Sequence, residues 1–324
     1  MMLSRVADSI YWMSRYIERA ENIARFINVN LSLMLDQQME GQNQWEALVH
    51  ITGEYKQFTE KYGEANMENV IEFLTFDKEY PNSIFSCFRA ARENARTVRE
   101  AISSEMWEYL NRLYLRLREQ SNQPRDFLEE EGNQFFTDIR LSGNLFDGIT
   151  DNTMTHNEGW HFCRLGRLLE RADKTSRLLD VKYFMLLPSL SDIGTPYDEL
   201  QWSALLRSAS AYEMYRKRHG RITPANVVKF LMLDHEFPRA MLYCIGRSEE
   251  SLHDITGTPR GSYSNVAEQR LGSLRSDLAF TGAEDIIRRG LHEFIDDFQI
   301  KLNAVDTAIY TTFFEMRTPG AGEF

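Results

Sequence analysis

The chain has 324 residues, of which 43% are hydrophobic and 26% are charged, and its formal net charge is −11. This composition is typical of a folded globular protein and excludes a chain that is disordered throughout. The negative charge disfavours non-specific binding to nucleic acid or to an anionic membrane, because both carry charge of the same sign.

Helix breakers are scarce, with 8 prolines and 18 glycines, which favours long helices over a sandwich or barrel. The three cysteines, Cys87, Cys163 and Cys244, are far apart and form no CxxC pair, so we expect reduced, buried thiols in a reducing compartment. Charged residues interrupt the N-terminal stretch, and the longest compact apolar stretch, around 184–187, is too short to span a membrane. A cytoplasmic protein without membrane partners is therefore expected.

The first half of the chain is predicted to be helical throughout. Apolar residues recur every three or four positions from Leu3 to Leu31, which predicts one long helix from the N-terminus to about Leu35. A later segment, 90–117, is rich in Arg, Glu, Ala and Leu and predicts another helical region, broken near Ser103. Pro81 marks the expected start of the helix that precedes this break.

The second half begins with a helix expected from about Glu158 to Leu187, followed by a loop over 188–197. Thr223 is expected to cap a helix that carries Pro224 in its first turn, and Pro238 marks a further start. The run from 283 to 316 has few breakers and predicts one long closing helix. The last residues, 318–324, are expected to be frayed.

An internal repeat connects the two halves. The segment 16–21 returns at 168–173, where Glu18 matches Glu170 at an offset of 152. Further along, Trp45 matches Trp202 at an offset of 157. The same offset relates Tyr55 to Tyr212, Phe73-Leu74 to Phe230-Leu231, Asp77, Glu79 and Pro81 to Asp234, Glu236 and Pro238, and Cys87 to Cys244.

Matches of several residue types at one fixed spacing predict a tandem duplication. The predicted fold class is all-α, with two multi-helix units, 1–155 and 156–324, packed as a helical bundle in one pseudo-twofold domain. A weaker similarity relates 135–153 to the closing helix, where Asp147 corresponds to Asp306.

The repeated long helix carries a polar strip beside its apolar face. At 100° per residue this strip contains Glu18, Glu21 and Arg25, with Arg15 and Arg19 further round. We call these residues and their repeats the Glu-Arg seam; the repeats are Arg167, Glu170, Arg171, Asp173 and Arg177. The small residues Ser14 and Gly166 lie on the same strip and leave room for a neighbouring helix or a ligand.

Three interpretations of the seam are open. The first is a partly buried set of ion pairs, in which the two long helices also pair with each other, and the spacing favours it. The second is an anion or carboxylate site, in which the forked guanidinium groups of Arg19 and Arg171 bind an acidic group of a substrate or partner. The third is a carboxylate metal site, but the Glu-x-x-His pattern of di-iron bundles is missing and arginines lie between the carboxylates. We predict no metal and no cofactor.

Further candidates lie outside the seam. The acidic loops with Asp77 and Glu79, and with Asp234 and Glu236, are expected either to complement a helix dipole or to bind a cation or amine. His156 and His161 are five residues apart, which is not the metal-ligand spacing of a helix. Cys87 and Cys244 are expected to pack, and no common catalytic motif is present, so enzymatic activity is left open.

Three segments of the chain, 3–22, 91–100 and 165–173, resemble the bacterial alpha-E domain, an all-helical family named for a Glu-Arg motif. The resemblance implies association with a circularly permuted ATP-grasp carboxylate–amine ligase and a transglutaminase-like cysteine peptidase, in a pathway that makes or trims amide-linked peptides or metabolites. The family positions that it carries over are Glu18, Arg19, Glu170, Arg171, Arg92, Glu93, Asn94 and Arg96.

The resemblance favours an accessory or binding subunit whose arginines receive an anionic or peptide ligand. The alternatives are a carboxylate-based acid–base or metal-dependent enzyme of the same pathway, and a purely structural helical homo-oligomer. The run Arg92-Glu93-Asn94 becomes Glu249-Glu250-Ser251 in the second unit, so a site that uses these positions would be present once.

Overall fold

The computed structural model describes residues 2–36, 42–122, 124–185 and 196–315. Within these ranges the chain forms helices, turns and no strand, which confirms the all-α class. The helices are α1 Ser4–Asp36, α2 Gln42–Thr52, α3 Tyr55–Tyr62, α4 Met67–Phe76, α5 Ile84–Thr97, α6 Ser104–Gln120, α7 Pro124–Thr153, α8 Glu158–Met185, α9 Pro196–Ser208, α10 Tyr212–His219, α11 Pro224–Leu233, α12 Met241–Thr256, α13 Val266–Ala279, α14 Ala283–Arg289 and α15 Leu291–Ile309. The first eight residues of the predicted loop 188–197 fall in a stretch, 186–195, that lies outside the described residues, as does the tail 318–324.

The two long helices α1 and α8 pack against each other at the centre of the bundle. The periodic apolar positions of α1, such as Ile10, Met13 and Ile27, are fully buried, and so are Leu165 and Leu169 of α8. Further helices cover the other sides of this pair, α5 and α7 on α1, and α12 and α15 on α8. Because neighbours surround both central helices, their polar strips are also inside the protein.

The backbones of α1 and α8 approach each other closely at one point. A Cβ built on Gly166 would lie 2.4 Å from the carbonyl oxygen of Tyr11. Next to it, Ser14 Oγ lies 2.8 Å from Cys163 Sγ. The room that the small residues Ser14 and Gly166 leave is therefore used by the neighbouring helix.

The outer helices repeat one pattern of contacts around the central pair. α6 packs on α5 and α13 packs on α12, each on the side away from the centre. α2 reaches across to α8, whereas α9 reaches across to α1. Each of these two helices therefore lies against the long helix of the other half.

The helix starts are set by capping side chains more than by proline. Thr223 caps α11 as predicted, by accepting a hydrogen bond from the backbone N–H of Asn226. Ser103 caps α6, which confirms the predicted break. The starts expected at Pro81 and Pro238 are wrong by a few residues. Pro81 lies in a turn, and α5 begins at Ile84, where the Ser83 hydroxyl supplies the cap; α12 begins only at Met241.

The single closing helix predicted for 283–316 is wrong as well. Gly290 has φ of 101°, a left-handed conformation that only glycine adopts without strain, and it separates α14 from α15. After α15 the backbone forms one π-helical turn, Tyr310–Phe314, and residue 316 lies outside the described residues. The closing segment is thus two helices and a turn.

None of the helices that the structure describes combines the length and the apolar character needed to cross a bilayer. This agrees with the expectation drawn from the short apolar stretches of the sequence.

We expect Gly166→Ala to lower the free energy of unfolding by about 1–3 kcal/mol, because the new methyl group would collide with the Tyr11 carbonyl and force the central helices apart. Gly148→Ala is the matched control, since a Cβ at Gly148 in α7 meets nothing within 4 Å. There alanine should stabilise the helix by up to about 1 kcal/mol. Urea unfolding measures both; equal effects of the two changes would contradict the close crossing.

Candidate functional site

The Glu-Arg seam lies at the interface of α1 and α8, and most of it is buried. Glu170 is 0% exposed, Glu21 2%, Arg25 3% and Glu18 4%. Charged side chains are rarely buried to this extent unless they are paired. The seam must therefore satisfy its charges inside the protein.

Two reciprocal forks join the central helices. Arg19 donates from Nε and Nη2 to the two carboxylate oxygens of Glu170, at 2.6 and 2.9 Å. Arg171 donates in the same way to the two oxygens of Glu18, at 2.9 and 2.7 Å. Each helix thus supplies the arginine of one fork and the carboxylate of the other, in the bidentate geometry that is strongest for this pair.

The flanking arginines Arg15 and Arg167 extend the seam to two further helices. Arg15 donates to Glu170 at 3.0 Å and to Asp306 of α15 at 2.6 Å. Arg167 lies 2.7 Å from Asp147 of α7. These contacts bring together all four long helices of the bundle.

The remaining seam residues pair within their own helix. In α8, Arg177 Nε donates to both oxygens of Asp173 at 3.0 Å. In α1, Arg25 pairs with Glu21 and also donates to the hydroxyl of Ser210, after α9. All ten predicted seam residues therefore take part in ion pairs of the network, which has two groups, one around Glu18 and one around Glu170.

Sequence reasoning missed several members of this network, above all Arg239. Arg239 lies in the turn before α12 and reaches Glu21 at 2.9 Å and Glu18 at 3.2 Å. Asn22 donates to Glu18 at 2.9 Å, and Lys174 lies 3.4 Å from Glu170.

The two registers of the predicted repeat would have pointed to these members. Asn22 aligns with Lys174 at the offset of 152, and Asn82 aligns with Arg239 at 157. Arg19 donates to Asn82 beside Glu170, whereas Arg239 accompanies Asn22 beside Glu18. Besides its fork, Glu18 therefore has one additional cation, Arg239, whereas Glu170 has two, Lys174 and Arg15. An asparagine accompanies each carboxylate, from opposite positions of the repeat.

Positive charge exceeds negative charge in the network. It contains eight cationic side chains, Arg15, Arg19, Arg25, Arg167, Arg171, Lys174, Arg177 and Arg239, and six carboxylates, Glu18, Glu21, Asp147, Glu170, Asp173 and Asp306.

This surplus acts on the pKa values of both kinds of group. Burial alone would raise the pKa of Glu18, but Arg171 and Arg239 hold it at about 2. Burial and the nearby Arg239 lower the pKa of Arg25 well below its ordinary range. The end of the seam at Arg25 is therefore where positive charge is least compensated.

This arrangement suits structure better than acid–base chemistry. A general acid or base works best with a pKa near the operating pH, whereas the pKa values of Glu18 and Glu170 are both lowered by their arginines despite burial. Among the residues that the structure describes, no group of three or more His, Cys, Asp or Glu is placed to hold a metal ion. The observed geometry is that of the ion-pair interpretation.

The acidic loops are closed by the chain's own cations. Asp77 accepts from the backbone N–H groups of Glu79 and Tyr80, and Lys61 Nζ lies 3.0 Å from Asp77 and 2.6 Å from Glu79. The carboxylate thus caps its own turn and not the dipole of α5, whose cap is Ser83.

The second acidic loop has the same construction. Asp234 accepts from the backbone N–H groups of Glu236 and Phe237 at 2.8 Å, and Arg218 pairs with both Asp234 and Glu236. In both loops an internal side chain takes the place that a bound amine would occupy.

The family positions on α5 lie apart from the seam. Arg92 donates to Asn111 of α6 at 2.7 Å and to Glu93 at 2.8 Å, and Arg96 donates to Glu93 at 2.8 Å. Asn94 donates to the carbonyl of Ala90. These residues form a partly exposed cluster between α5 and α6.

The cysteines are buried free thiols. Burial raises the pKa of Cys87 and Cys244 to about 12 and that of Cys163 to about 11. A thiol of this kind is a poor nucleophile at neutral pH, so the expected packing role agrees with the structure.

We expect Glu170→Gln to lower the free energy of unfolding by about 3–5 kcal/mol, because it leaves Arg15, Arg19 and Lys174 without their shared carboxylate inside the protein. Glu60→Gln removes a carboxylate from an exposed i,i+4 pair with Lys56 and should leave stability nearly unchanged. Chemical denaturation at neutral pH measures both. A loss at Glu170 no larger than that at Glu60 would show that the seam contributes little.

The lowered pKa of Glu18, from 4.5 to about 2, predicts acid sensitivity. A carboxyl whose pKa is depressed in the folded state stabilises the protein fully above its unfolded pKa, and this stabilisation is lost as the pH falls towards the folded value. The free energy of unfolding should therefore decline between about pH 4.5 and pH 2. The decline should be shallower in Glu18→Gln, measured by urea titration at several pH values; the same slope in both proteins would contradict the assignment.

Comparison with known proteins agrees with the architecture. The family described as Alpha-E, a predicted alpha-helical domain with a conserved ER motif, matches residues 2–314. Uncharacterized proteins of Mycobacterium bovis and Mycobacterium tuberculosis CDC 1551 are each 26% identical to this chain over 342 residues, and one of M. tuberculosis H37Rv is 25% identical. These matches cover 98% of the chain but only 37% of each relative's length.

No solved structure matches the chain significantly. Glu18-Arg19 and Glu170-Arg171, which form the two reciprocal forks, are both Glu-Arg pairs of the kind for which the family is described. The resemblance seen in three segments of the sequence is confirmed over nearly the whole length, and the chain belongs to the Alpha-E family.

Proposed function

We propose that this Alpha-E protein is an accessory, ligand-binding subunit of an ATP-grasp carboxylate–amine ligase pathway, which makes or modifies amide-linked peptides or metabolites. Its partners are the ligase and the transglutaminase-like protein. The observation that carries the proposal is the length of the mycobacterial relatives, because the matched region is only 37% of each relative's length. A unit that occurs within a longer chain is expected to act beside other domains.

The state of the seam supports a non-catalytic role. Its carboxylates are held ionised by arginine forks, and a group that reacts with substrate would need to exchange protons or bind a metal near neutral pH. We therefore prefer a binding subunit to an acid–base or metal-dependent enzyme. The buried thiols of Cys87, Cys163 and Cys244 support a reducing, cytoplasmic location.

We also propose that the chain arose by tandem duplication, with the boundary at 155–156, between α7 and α8. Three reciprocal relations support it: the forks Arg19–Glu170 and Arg171–Glu18, the pairs Arg15–Asp306 and Arg167–Asp147, and the crossed contacts of α2 and α9. In each relation, a residue or helix of the first half contacts the second half, and its counterpart in the second half makes the reverse contact. The two units accordingly share one continuous hydrophobic core and are expected to fold as one domain.

We expect the protein to form a complex with an ATP-grasp ligase encoded in the same genome when the two are co-expressed. Native mass spectrometry should detect the complex, and the amide products and ADP release of the ligase should change when the Alpha-E protein is added. Serum albumin at the same concentration controls for non-specific effects. Absence of a complex together with unaltered products would refute the proposal; so would turnover of the ligase substrates by the Alpha-E protein alone.

A further inference from the structure

A polar cleft of about 440 Å³ lies between α12, α13 and the loop 257–265. Its wall contains Tyr243, Arg247, Glu249, Glu250, Arg260 and Arg275. The volume is within the range typical of small-molecule sites. None of the ten seam residues lines the cleft.

Cations outnumber carboxylates around this cleft. Glu250 accepts from Arg247 at 2.8 and 2.9 Å, and Arg164 lies 3.5 Å away from it. Glu249 lies 2.6 Å from Arg275. Arg260 has no hydrogen bond or ion pair with any residue in the described part of the chain. Three arginines of the lining, Arg247, Arg260 and Arg275, therefore face two carboxylates, on a protein whose net charge is −11.

A buried histidine also borders the cleft. His253 is 6% exposed, and its Nδ1 lies 3.1 Å from the carbonyl oxygen of Thr258. Because a carbonyl can only accept, Nδ1 carries the hydrogen and anchors the loop, while Nε2 has no partner within the described ranges. A ligand group in the cleft would supply that partner.

The loop that carries Arg260 is held in place by Glu268 of α13. Glu268 is 2% exposed and accepts hydrogen bonds from the backbone N–H and the hydroxyl of Ser264 and from the hydroxyl of Thr256. Arg260 is therefore presented from a fixed backbone, which reduces the entropy lost when a ligand binds.

The corresponding place in the first half of the chain has a different lining. Between α5 and α6 the guanidinium of Arg92 lies over the rings of Trp107 and Tyr114, at 5.5 and 5.0 Å, and Arg92 bonds to Asn111. Aromatic side chains thus cover the arginine there. This difference accompanies the change from Arg92-Glu93 to Glu249-Glu250.

We propose that the cleft binds the carboxylate of a small ligand such as a short peptide, with Arg260 and Arg247 as donors. Planar guanidinium groups match a carboxylate in geometry and charge. The choice of a carboxylate over another oxyanion rests on the proposed function, because a carboxylate–amine ligase consumes carboxylates. The excess of arginines over carboxylates in the cleft does not depend on the proposed function.

The test is a ligand-observed NMR titration of the isolated protein with three probes: N-acetyl-alanyl-alanine with a free C-terminus, its C-terminal amide, and inorganic phosphate. We expect the free acid to bind with a Kd of about 1 mM or below and the amide at least about tenfold more weakly, since one charge-assisted pair is lost. Equal binding of acid and amide would overturn the proposal. Tighter binding of phosphate than of the acid would overturn the choice of a carboxylate.

Variants locate the site with effects of opposite sign. Arg260→Gln should weaken binding of the free acid about tenfold, whereas Glu250→Gln should strengthen it, because Arg247 and Arg164 are released from their internal partner. Arg112→Gln, on α6, makes the same change of charge elsewhere and should have no effect. Equal weakening by Arg260→Gln and Arg112→Gln would show non-specific attraction only. Since the ligase is absent, failure here is distinguishable from failure to form the complex.

Discussion

The need to pair charges inside a helical core governs this structure. Glu18 and Glu170 lie where two long helices meet, and a buried carboxylate without partners would cost several kcal/mol. Each is met by a bidentate arginine from the opposite helix, so the pairing of charge and the packing of α1 on α8 require the same register. A shift of one turn would break both forks at once, which makes the seam a device for specifying one arrangement of helices.

The surroundings of Glu18 and Glu170 differ in the elements that supply their additional cations. Beside Glu18 the additional cation is Arg239, from the turn before α12, and the neighbour on α1 is Asn22. Beside Glu170 the cation is Lys174 of α8, and the residue in the turn before α5 is Asn82. The additional cations therefore come from different elements, and Glu170 has one more of them than Glu18 because Arg15 also contacts it.

Long helices could be predicted from the sequence because their periodicity is local. The apolar spacing of α1, the start of α8, the Thr223 cap and the break at Ser103 all follow from residues within a few turns of each other. The division at Gly290 was missed because glycine is tolerated in helices and only its positive φ interrupts one. For the seam, the sequence predicted ion pairs only within and between the two long helices. Arg239, Asp147 and Asp306 were missed because they reach the seam through tertiary packing that no spacing rule describes. The cleft beside α12 was not predicted, because it depends on the course of the loop 257–265.

The seam and the proposed binding cleft lie in different parts of the molecule. Residues that carry the Glu-Arg motif hold the two halves together, and the outer face of the second half carries an unpaired arginine and an open cleft. A protein built in this way can present a binding surface to a partner while its charged interior stays fixed. This is consistent with a unit that occurs within longer chains in mycobacteria.

The most direct test of the central claim is a double-mutant cycle at Asn22 and Arg239, followed by the free energy of unfolding. If the seam balances charge as described, Arg239→Asn destabilises the protein and Asn22→Lys destabilises it too, since it adds a cation beside Arg239. The double variant should lose at least about 1 kcal/mol less free energy of unfolding than the two single variants lose together. The reason is that a lysine at position 22 would reach Glu18 as Lys174 reaches Glu170. Additive losses in the double variant would contradict the compensation on which this account depends.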